Sequence, residues 1–359
     1  MAYTNIDDPS AYFQTKLWTG NGSTSTGITI TNDGNSDLQP DLIWNKQRTT
    51  ASHGLWDSSR GISRSLTSDN TNAEQYNAGK GITSFNTNGF TGVREGWVQF
   101  NRSAEPYVGW QWKCNGGTTS SNTDGSVTST VQANQDAGFS IVTFTSAPSS
   151  GTGIFSVGHG LGQIPAMVIT KSRDSTSNWW SWHKGLTGGN SNTSYIIALE
   201  RITAEGSYSN AWGAGMTSSV FGMQSGNTAV ASSDYVAYCF AEKQGFSKFG
   251  TYVGNGSTDG SFVYTGFKPA FVILKGSSAV GSWYMIDNKR DVDNVAHHAL
   301  EAQSSAAEYT NYNFIDMLSN GFKLRLGTSE INTNGNTYIY MAFAENPFTT
   351  STGIPTTAR

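Results

Sequence analysis

The chain has 359 residues, a formal net charge of −4 and only 13% charged residues. Aromatic residues make up 12%, which excludes an intrinsically disordered chain because such chains are poor in aromatics. There is no basic stretch to bind a phosphate backbone and no apolar run long enough to cross a membrane, so we expect neither nucleic acid binding nor membrane insertion. The 41 glycines, with abundant Ser, Thr and Asn, favour an all-β protein with many short strands.

Residues 1–10 predict a polar N-terminal arm, and residues 11–115 predict a first β-sandwich module. Its strand candidates are Gln14–Trp18, Gly27–Thr31, Asp41–Asn45, Gly54–Asp57, Trp97–Asn101 and Tyr107–Lys113. Residues 116–138 are rich in Gly, Ser and Thr and predict a linker that lets the first two modules hinge. Within this linker Ser126–Val131 alternates well enough to add an edge strand.

Residues 139–244 and 245–348 predict a second and a third β-sandwich module, and residues 349–359 predict an extended C-terminal tail. The best helix candidate is Val295–Tyr309, although the corresponding windows of the other two modules predict loop and strand. Each module has about 100 residues, with turn signals roughly every 8–12 residues. The predicted fold class is therefore all-β, with three tandem β-sandwich modules of the jelly-roll or lectin-like kind.

A sequence pattern that occurs three times supports this division. Each copy has a proline, a lysine six residues later, and then a leucine, a glutamate and a closing tyrosine in the same order. The landmarks are Pro40, Pro165 and Pro269; Lys46, Lys171 and Lys275; Leu66, Leu199 and Leu300; Glu74, Glu205 and Glu308; and Tyr107, Tyr235 and Tyr338. Matching order and spacing at so many positions indicate three copies of one unit.

The segment from proline to lysine is apolar on both strand faces, as in Pro40–Lys46, where Leu42 and Trp44 alternate with Ile43. Such a strand is typical of a sheet centre that is buried between two layers. Its lysine has two interpretations. It contacts a ligand at the rim of the sandwich, or, as we favour, its stem covers the core while its ammonium group reaches water.

No motif for catalysis or metal binding is evident. The five histidines fit no metal-ligand spacing, and neither a nucleophile elbow nor a phosphate-binding loop is present. Cys114 and Cys239 favour two buried thiols over a disulfide. Asp57 and Asp287 occupy one repeat position, which favours a structural role over a glycosidase pair. We expect no catalytic residue, no cofactor and no metal, and a polysaccharide depolymerase is the least favoured alternative.

Aromatic residues near polar turns are the main candidates for ligand binding. Trp18 and Tyr252 each lie beside a Gly-Asn-Gly turn, and strand alternation places Trp179 on one face and Trp180 with Trp182 on the other. Flat rings beside Asn, Asp and Ser are typical of sugar-binding surfaces, although most such rings fill cores. The predicted ligand-binding residues are Trp18, Asn21, Trp179, Tyr252, Asn255 and Asp259.

Several segments together resemble virion structural proteins of marine tailed bacteriophages, often described as tail-fibre or lectin-like (concanavalin-type) repeat proteins. These segments are AYFQTKLWTGNGST, DLQPDLIWNK, STVQANQDAGFSIVTFT, GHGLGQIPAMVITKSR, NWWSWHK, YIYMAFAENPF and GIPTTAR. The resemblance covers nearly the whole chain and implies a particle component built of β-sandwich modules, without established catalytic residues. Long fibres usually begin with a sizeable anchoring domain, so a short fibre, a fibre tip and a capsid knob or decoration all stay open.

The resemblance implies a tail fibre or receptor-binding protein that recognises host-surface glycans without catalysis. A capsid or tail decoration protein is the structural alternative. The expected partners are other virion proteins and a host glycan. We expect a homo-oligomer, and a trimer if the protein is a fibre, because symmetry multiplies weak sugar sites. The expected location is the virion surface, after assembly in the cytoplasm of the host bacterium.

Overall fold

A computed structural model describes residues 2–98, 100–149, 152–327 and 330–356. Nearly all of the regular secondary structure in the described chain is β-strand, so the predicted all-β sandwich class is confirmed. Its helical segments are two short 3-10 helices, Pro9–Ala11 and Gly189–Ser191. Within these ranges no helix has the length and apolar character that a membrane span requires.

The strands run through the chain with short connections. The first nine are β1 Phe13–Thr19, β2 Ile28–Ile30, β3 Leu42–Gln47, β4 His53–Asp57, β5 Arg64–Ser65, β6 Gln75–Tyr76, β7 Gly81–Asn86, β8 Gly89–Val93 and β9 Pro106–Trp112. The next ten are β10 Ser120–Asn122, β11 Ser129–Asn134, β12 Phe139–Thr145, β13 Ile154–Gly158, β14 Met167–Ser172, β15 Trp180–His183, β16 Tyr195–Ala198, β17 Gly206–Ser207, β18 Val220–Gln224 and β19 Asp234–Phe240. The last eight are β20 Ser247–Val253, β21 Phe262–Tyr264, β22 Phe267–Gly276, β23 Tyr284–Asp287, β24 Leu300–Glu301, β25 Ile315–Leu318, β26 Gly321–Leu324 and β27 Thr337–Pro347.

Three large antiparallel sheets repeat one strand order. Sheet I is β1-β9-β3-β4, sheet II contains β12-β19-β14-β15, and sheet III contains β20-β27-β22-β23. The registers also correspond, because the strand that carries the repeated lysine pairs with the last strand in the same alignment, through Trp44–Trp110, Ile169–Tyr238 and Ile273–Met341. The module boundaries at residues 115, 138, 244 and 348 stay a prediction.

Each large sheet carries a smaller sheet on its outer face. On sheet I, Ile43 and Trp56 pack against Ile30, Ile82 and Phe90 of the sheet β2-β8-β7. On sheet II the corresponding partner is β13-β18, and on sheet III it is β21-β26-β25. Two-layer packing of this kind explains why the proline-to-lysine strands are apolar on both faces.

The inner faces of the three large sheets meet in one shared core. The Phe13 ring of sheet I lies 5.2 Å from the Phe343 ring of sheet III, between centroids. The Phe240 ring of sheet II lies 6.2 Å from Trp112 and 6.0 Å from Phe343. Strands β3, β14 and β22 are therefore buried on both faces, as the sequence predicts.

The same contact joins each sheet to the next and closes a ring. After each repeated glutamate the chain reaches the neighbouring sheet, and the glutamate N–H donates to a carbonyl oxygen two residues beyond the repeated lysine. The pairs are Glu74–Arg173, Glu205–Ser277 and Glu308–Arg48, with N–O distances of 2.8, 2.9 and 2.9 Å. Because the third pair connects sheet III back to sheet I, the three sheets form a closed ring with approximate threefold symmetry.

The repeated lysines lie fully buried at these junctions, so both predicted interpretations are wrong. The Lys171 ammonium donates to the Thr71 carbonyl oxygen at 3.2 Å, and the Lys275 ammonium donates to that of Ile202 at 3.0 Å. Lys46 binds the carbonyl oxygens of Gln47 and Thr49. Burial lowers the pKa of each lysine to about 8, because an ammonium group loses hydration there.

Residues 116–138 do not act as a loose linker. Strands β10 and β11 extend sheet II beside β12, and β10 rather than the predicted Ser126–Val131 segment is the outermost strand. The Gln132 side chain is fully buried and donates to the Ser58 and Ser59 hydroxyls of sheet I, at 2.9 and 2.8 Å. This segment fastens sheet II to sheet I, so the expected hinge is wrong.

Three further sequence predictions have clear outcomes. No helix forms over Val295–Tyr309, where Ala296 and Ala299 instead make isolated strand bridges. The strand candidate Trp97–Asn101 includes residue 99, which lies outside the described residues, and its described part forms bends and turns. The other five strand candidates overlap β1, β2, β3, β4 and β9. Cys114 and Cys239 are buried free thiols.

Candidate ligand-binding groove

The histidines at the sheet junctions do not face a cleft. Ring nitrogens of His53 and His183 lie 2.9 and 3.1 Å from the carbonyl oxygens of Glu301 and Tyr340 on the neighbouring sheet. Burial lowers the pKa of His183 to about 4, so its ring is neutral at pH 7. In the described part of the chain, no three His, Cys, Asp or Glu side chains are grouped to hold a metal ion.

The repeat-equivalent acids Asp57 and Asp287 serve the junctions as well. Each is fully buried and pairs with an arginine three residues later, Arg60 at 2.5 Å and Arg290 at 2.6 Å. Each carboxylate also accepts a hydrogen bond from the adjacent sheet, in the pairs Tyr238–Asp57 and Trp110–Asp287. Their side chains are occupied in holding the ring together, which agrees with the structural role that their repeat position favours.

Of the predicted site residues, Trp18 and Asn21 lie at one end of sheet I. Trp18 is half-buried, and its ring stacks on Tyr107 with 5.3 Å between centroids. Asn21 is exposed, but its side-chain oxygen accepts hydrogen bonds from the Ser23 N–H and the Asn101 amide. The asparagine therefore holds its own turn.

The turn of sheet III repeats this arrangement. Tyr252 is buried, and its hydroxyl donates to the Ile331 carbonyl oxygen at 2.7 Å. Asn255 is exposed and accepts hydrogen bonds from the Ser257 N–H and the Asn332 amide. Asp259, in the same turn, is exposed and pairs with Lys323. The expectation that Tyr252 presents its ring at a loop tip is wrong, because the ring fills the core.

Trp179 is also buried, which corrects its predicted place on a binding surface. Its indole N–H donates to the Thr67 carbonyl oxygen of sheet I at 2.8 Å. Trp283 makes the equivalent contact with Ala198. The predicted site residues thus lie on three different sheets. Within the described part of the chain, no hydrogen bond or ring contact joins a candidate on one sheet to a candidate on another.

The adjacent Trp180 has the exposure that was expected of Trp179. It lies on the opposite face of β15, as strand alternation predicts, and is half-buried in a groove of about 460 Å³. The ring of Tyr208, which is 46% exposed, lies 6.0 Å from the Trp180 ring between centroids. Trp180 therefore lines the groove, and Tyr208 packs beside its ring without lining the groove itself.

The remaining lining of the groove is uncharged and combines polar side chains with the apolar residues Ala229, Val230 and Ala231. Its hydroxyl and amide side chains come from three loops, and they are Ser149, Thr176, Ser177, Asn178, Asn227 and Thr228. Among the described residues that line it, none carries a charge. The indole N–H of Trp180 donates to no oxygen of these residues. A groove with aromatic rings, hydroxyls and amides, but no charge, suits a neutral ligand rich in hydroxyl groups.

Equivalent positions on the other two sheets are closed. On sheet III the position of Trp180 is taken by Tyr284, which is 8% exposed and covered by Glu330, Tyr309 and Phe314. On sheet I it is taken by Gly54, where an added Cβ would lie 2.4 Å from the Trp56 ring. Of the three equivalent positions, only that of sheet II is open.

The sequence carries only part of the signal for this groove. Alternation in the run 179–182 separates Trp180 from Trp179, but it does not tell which face meets solvent. That depends on which neighbour covers each face, and the neighbour of Trp179 is Thr67, more than a hundred residues earlier. The loop residues 226–231, which complete the groove, carry no distinctive motif.

Comparison with known protein families shows which family the chain belongs to. The profile of DUF7483, described as a domain of unknown function, matches residues 8–347. The chain belongs to the DUF7483 family. No curated protein and no solved structure matches it.

The DUF7483 match begins before β1 and ends at the last residue of β27. It therefore covers all three large sheets, their junctions and the Trp180 groove. The DUF7483 domain, as defined by this match, is the whole closed ring and not one of its sheets.

Proposed function

We propose that this DUF7483 protein is a structural component of a tailed-bacteriophage particle, built from three copies of one module. In this proposal it binds a neutral host-surface glycan in the Trp180 groove. The resemblance of its sequence to phage virion proteins supports the first part. The groove supports the second, and it takes the place of the loop-tip residues that the sequence favoured.

The observation that carries the glycan proposal is the uncharged groove beside Trp180. A sugar ring presents C–H groups that pack on a tryptophan face, and its hydroxyls need hydrogen-bond partners at the edge of that face. Trp180 supplies the aromatic face, with the Tyr208 ring packed beside it, and Asn178 and Asn227 supply amides that line the same groove. Because one such site binds weakly, we expect attachment to use several copies, and a trimeric fibre would present three grooves.

A decoration role on the capsid or tail is the second candidate, and exposed apolar side chains favour it. Val253, Phe262 and Tyr264 lie close in the chain on sheet III and its covering sheet, and each is about half exposed. Exposed apolar groups of this kind are typical of contacts between proteins. In this alternative the protein packs against other virion proteins and binds no glycan.

The test of glycan binding uses the whole purified chain and a panel of neutral and anionic bacterial polysaccharides. We expect at least one neutral polysaccharide to bind, and Trp180→Ala to weaken that binding tenfold or more. Trp97→Ala is the matched control, because Trp97 is 44% exposed at another place and should not affect binding. Binding that survives Trp180→Ala, or preference for anionic polymers, would contradict the proposal.

The location is tested separately with antibodies against this chain on purified phage particles. Labelling at the tail in electron micrographs supports an attachment role, and labelling over the capsid supports decoration. Particles that carry no label, from a phage that encodes the chain, would sink both virion proposals.

A further inference from the structure

Among the residues that the structure describes, none pairs through its backbone with the outer edge of strand β1. The Lys113 N–H donates to the Tyr12 carbonyl oxygen, and the Gly20 N–H donates to the Glu105 carbonyl oxygen. In this register the backbone N–H and carbonyl groups of the even-numbered residues of β1 point toward β9. The odd-numbered residues therefore direct their backbone groups away from the sheet. In the described part of the chain no group bonds to the outward N–H or carbonyl groups of Phe13, Thr15, Leu17 and Thr19.

The equivalent edge of sheet II is paired along its length, and that of sheet III is partly occupied. On sheet II, β12 pairs along this edge with β11, from Ser129–Phe144 to Asn134–Phe139. On sheet III, the Ser247 N–H donates to the Lys243 carbonyl oxygen and the Phe249 N–H donates to the Glu242 carboxylate. The ring thus shows that this edge accepts an added strand, and it leaves that place open on sheet I.

A cleft of about 390 Å³ runs beside the free edge, between sheets I and III. Phe13, Gln14 and Thr15 line one side, and Ala270 and Ala344 lie on the other. Thr15 is 4% exposed, and its hydroxyl finds no hydrogen-bond partner among the described residues. The Thr15 hydroxyl and the outward backbone groups of Phe13 and Thr15 border this cleft, and an added strand would give those backbone groups direct hydrogen-bond partners in place of solvent.

The charged residues that line this cleft are Asp33, Lys268, Lys289 and Glu345, and Lys16 lies beside Asp33. Three ammonium groups and two carboxylates leave an excess of one positive charge, which favours an acidic occupant. The ammonium groups of Lys16 and Lys289 lie 2.8 and 3.3 Å from the Asp33 carboxylate, so one carboxylate pairs with two ammonium groups. One further carboxylate would complete this cluster. Two β1 strands paired about a twofold axis centred at residue 16 would instead place Lys16 opposite its own copy, and like charges directly opposite are destabilising.

We propose that an extended segment of another protein adds to β1 in this cleft as a new antiparallel strand, with an acidic side chain directed at Lys16 and Lys289. Backbone hydrogen bonds supply the affinity, as in other cases of strand addition. The facing wall has Ala270 and Ala344 together with the polar residues Lys268, Asn288 and Glu345, so we expect the inward side chains of the segment to be small or polar. The seven residues of β1 span about 24 Å at roughly 3.4 Å per residue, which sets the length of the segment.

This proposal does not rest on glycan binding, since the cleft and the Trp180 groove belong to different sheets. In a virion it would be the means by which the ring is fastened to another component.

Hydrogen exchange on the whole chain tests the proposal at single residues. The probe is the capped peptide STVEAN, which is the β11 sequence with its glutamine replaced by glutamate, and STVKAN is its control. At millimolar STVEAN we expect the amides of Phe13, Thr15, Leu17 and Thr19 to exchange at least tenfold more slowly. We expect no change at these amides with STVKAN.

A charge reversal sharpens the test. In Lys16→Glu we expect STVKAN, and no longer STVEAN, to slow the exchange of the β1 amides. Lys248→Glu, on the partly occupied edge of sheet III, should leave the preference for STVEAN unchanged. Unaltered exchange on β1 of the unmodified protein with STVEAN would overturn the proposal, whatever the variants do. Protection of β1 that grows with protein concentration alone, together with dimers in sedimentation, would assign the edge to a second copy and would also overturn it.

Discussion

Sheets II and III place an aromatic ring at the same position of the same strand, yet only one of the two rings is open to a ligand. Trp180 stands half-buried in a groove, whereas Tyr284 lies beneath Glu330, whose carboxylate accepts hydrogen bonds from the Ser282 N–H at 2.8 Å and the Tyr284 hydroxyl at 3.3 Å. The strands are equivalent, so the difference arises in the loops. The repeated scaffold provides a position, and the covering loop decides whether that position can bind.

We expect the largest loss of stability from mutations of the buried acids at the junctions. Sheets I and III each have an aspartate at this position, whereas sheet II has a histidine. Asp57→Ala leaves Arg60 buried without its closest partner, and we expect it to reduce the free energy of unfolding by about 3–5 kcal/mol. Asp287→Ala should do the same to Arg290. Urea unfolding at pH 7 measures both.

His183 holds the equivalent place on sheet II as a neutral ring, so His183→Gln, which can still donate to the Tyr340 carbonyl, is the contrasting variant. It should cost less than about 1.5 kcal/mol. Equal losses from all three variants would show that the junctions do not differ in this way.

Gly54, the sheet I counterpart of Trp180, tests why no groove exists there. A Cβ at this position would meet the Trp56 ring at 2.4 Å, so Gly54→Ala should reduce stability by about 1–3 kcal/mol through overpacking. Gly96→Ala is the matched control, because nothing lies within 4 Å of its added Cβ. The measurement is thermal or urea unfolding, and a stable Gly54→Ala protein would mean that Trp56 moves aside.

The buried lysines are alike at all three junctions, and the pH dependence of stability should show it. Each lysine has a pKa of about 8 when folded and about 10.5 when unfolded, so unfolding takes up a proton between these values and stability rises with pH across this window. Lys275→Met should remove about 2 kcal/mol of that rise between pH 7 and 9.5. Lys171→Met should behave alike.

Lys248, whose side chain is 40% exposed, provides the control for this experiment. Lys248→Met should keep the pH dependence of the unmodified protein. If Lys275→Met keeps it as well, the folded ammonium group is not destabilised by burial, and the three carbonyl-lined sites hold it charged without penalty.

We expect the smallest effect from a mutation that makes the Tyr284 position of sheet III resemble the open Trp180 position of sheet II. Glu330→Ala removes two hydrogen bonds, costs about 1–2 kcal/mol and takes away one part of the cover over Tyr284, while Tyr309 and Phe314 remain beside it. With the neutral glycan that binds at Trp180, we expect titration calorimetry to show a second and weaker site. Glu330→Gln keeps an oxygen acceptor and should remain closed, so a second site in that variant would refute the role of this side chain as a cover.

Local patterns predict the repeated parts of this fold well. Apolar residues on both faces of Pro40–Lys46 predict a central strand between two layers, and β3 is that strand. Alternation in the run 179–182 correctly places Trp180 and Trp179 on opposite faces. Both predictions depend on a period of two along one strand, which the sequence displays directly.

Features that depend on distant neighbours could not be predicted in the same way. The sequence of residues 116–138 has turn-like composition, yet Gln132 is buried because Ser58 and Ser59 of another sheet receive its amide. The lysines look like rim residues, yet all three are buried, and a carbonyl group from another sheet binds the ammonium groups of Lys171 and Lys275. The exposure of Trp18, Trp179 and Tyr252 likewise depends on residues far away in the chain. Trp18 is half-buried, and Trp179 and Tyr252 are buried.

The closed ring also determines how freely this protein can evolve. In a ring of three identical chains, a mutation that opened a groove would open it three times, and one that weakened a junction would weaken all three. A single chain that carries all three sheets is free of this coupling. Natural selection can then alter the loops around Trp180 while the other two sheets keep the ring intact, so we expect sequence divergence within the family to concentrate at residues 176–178 and 226–231.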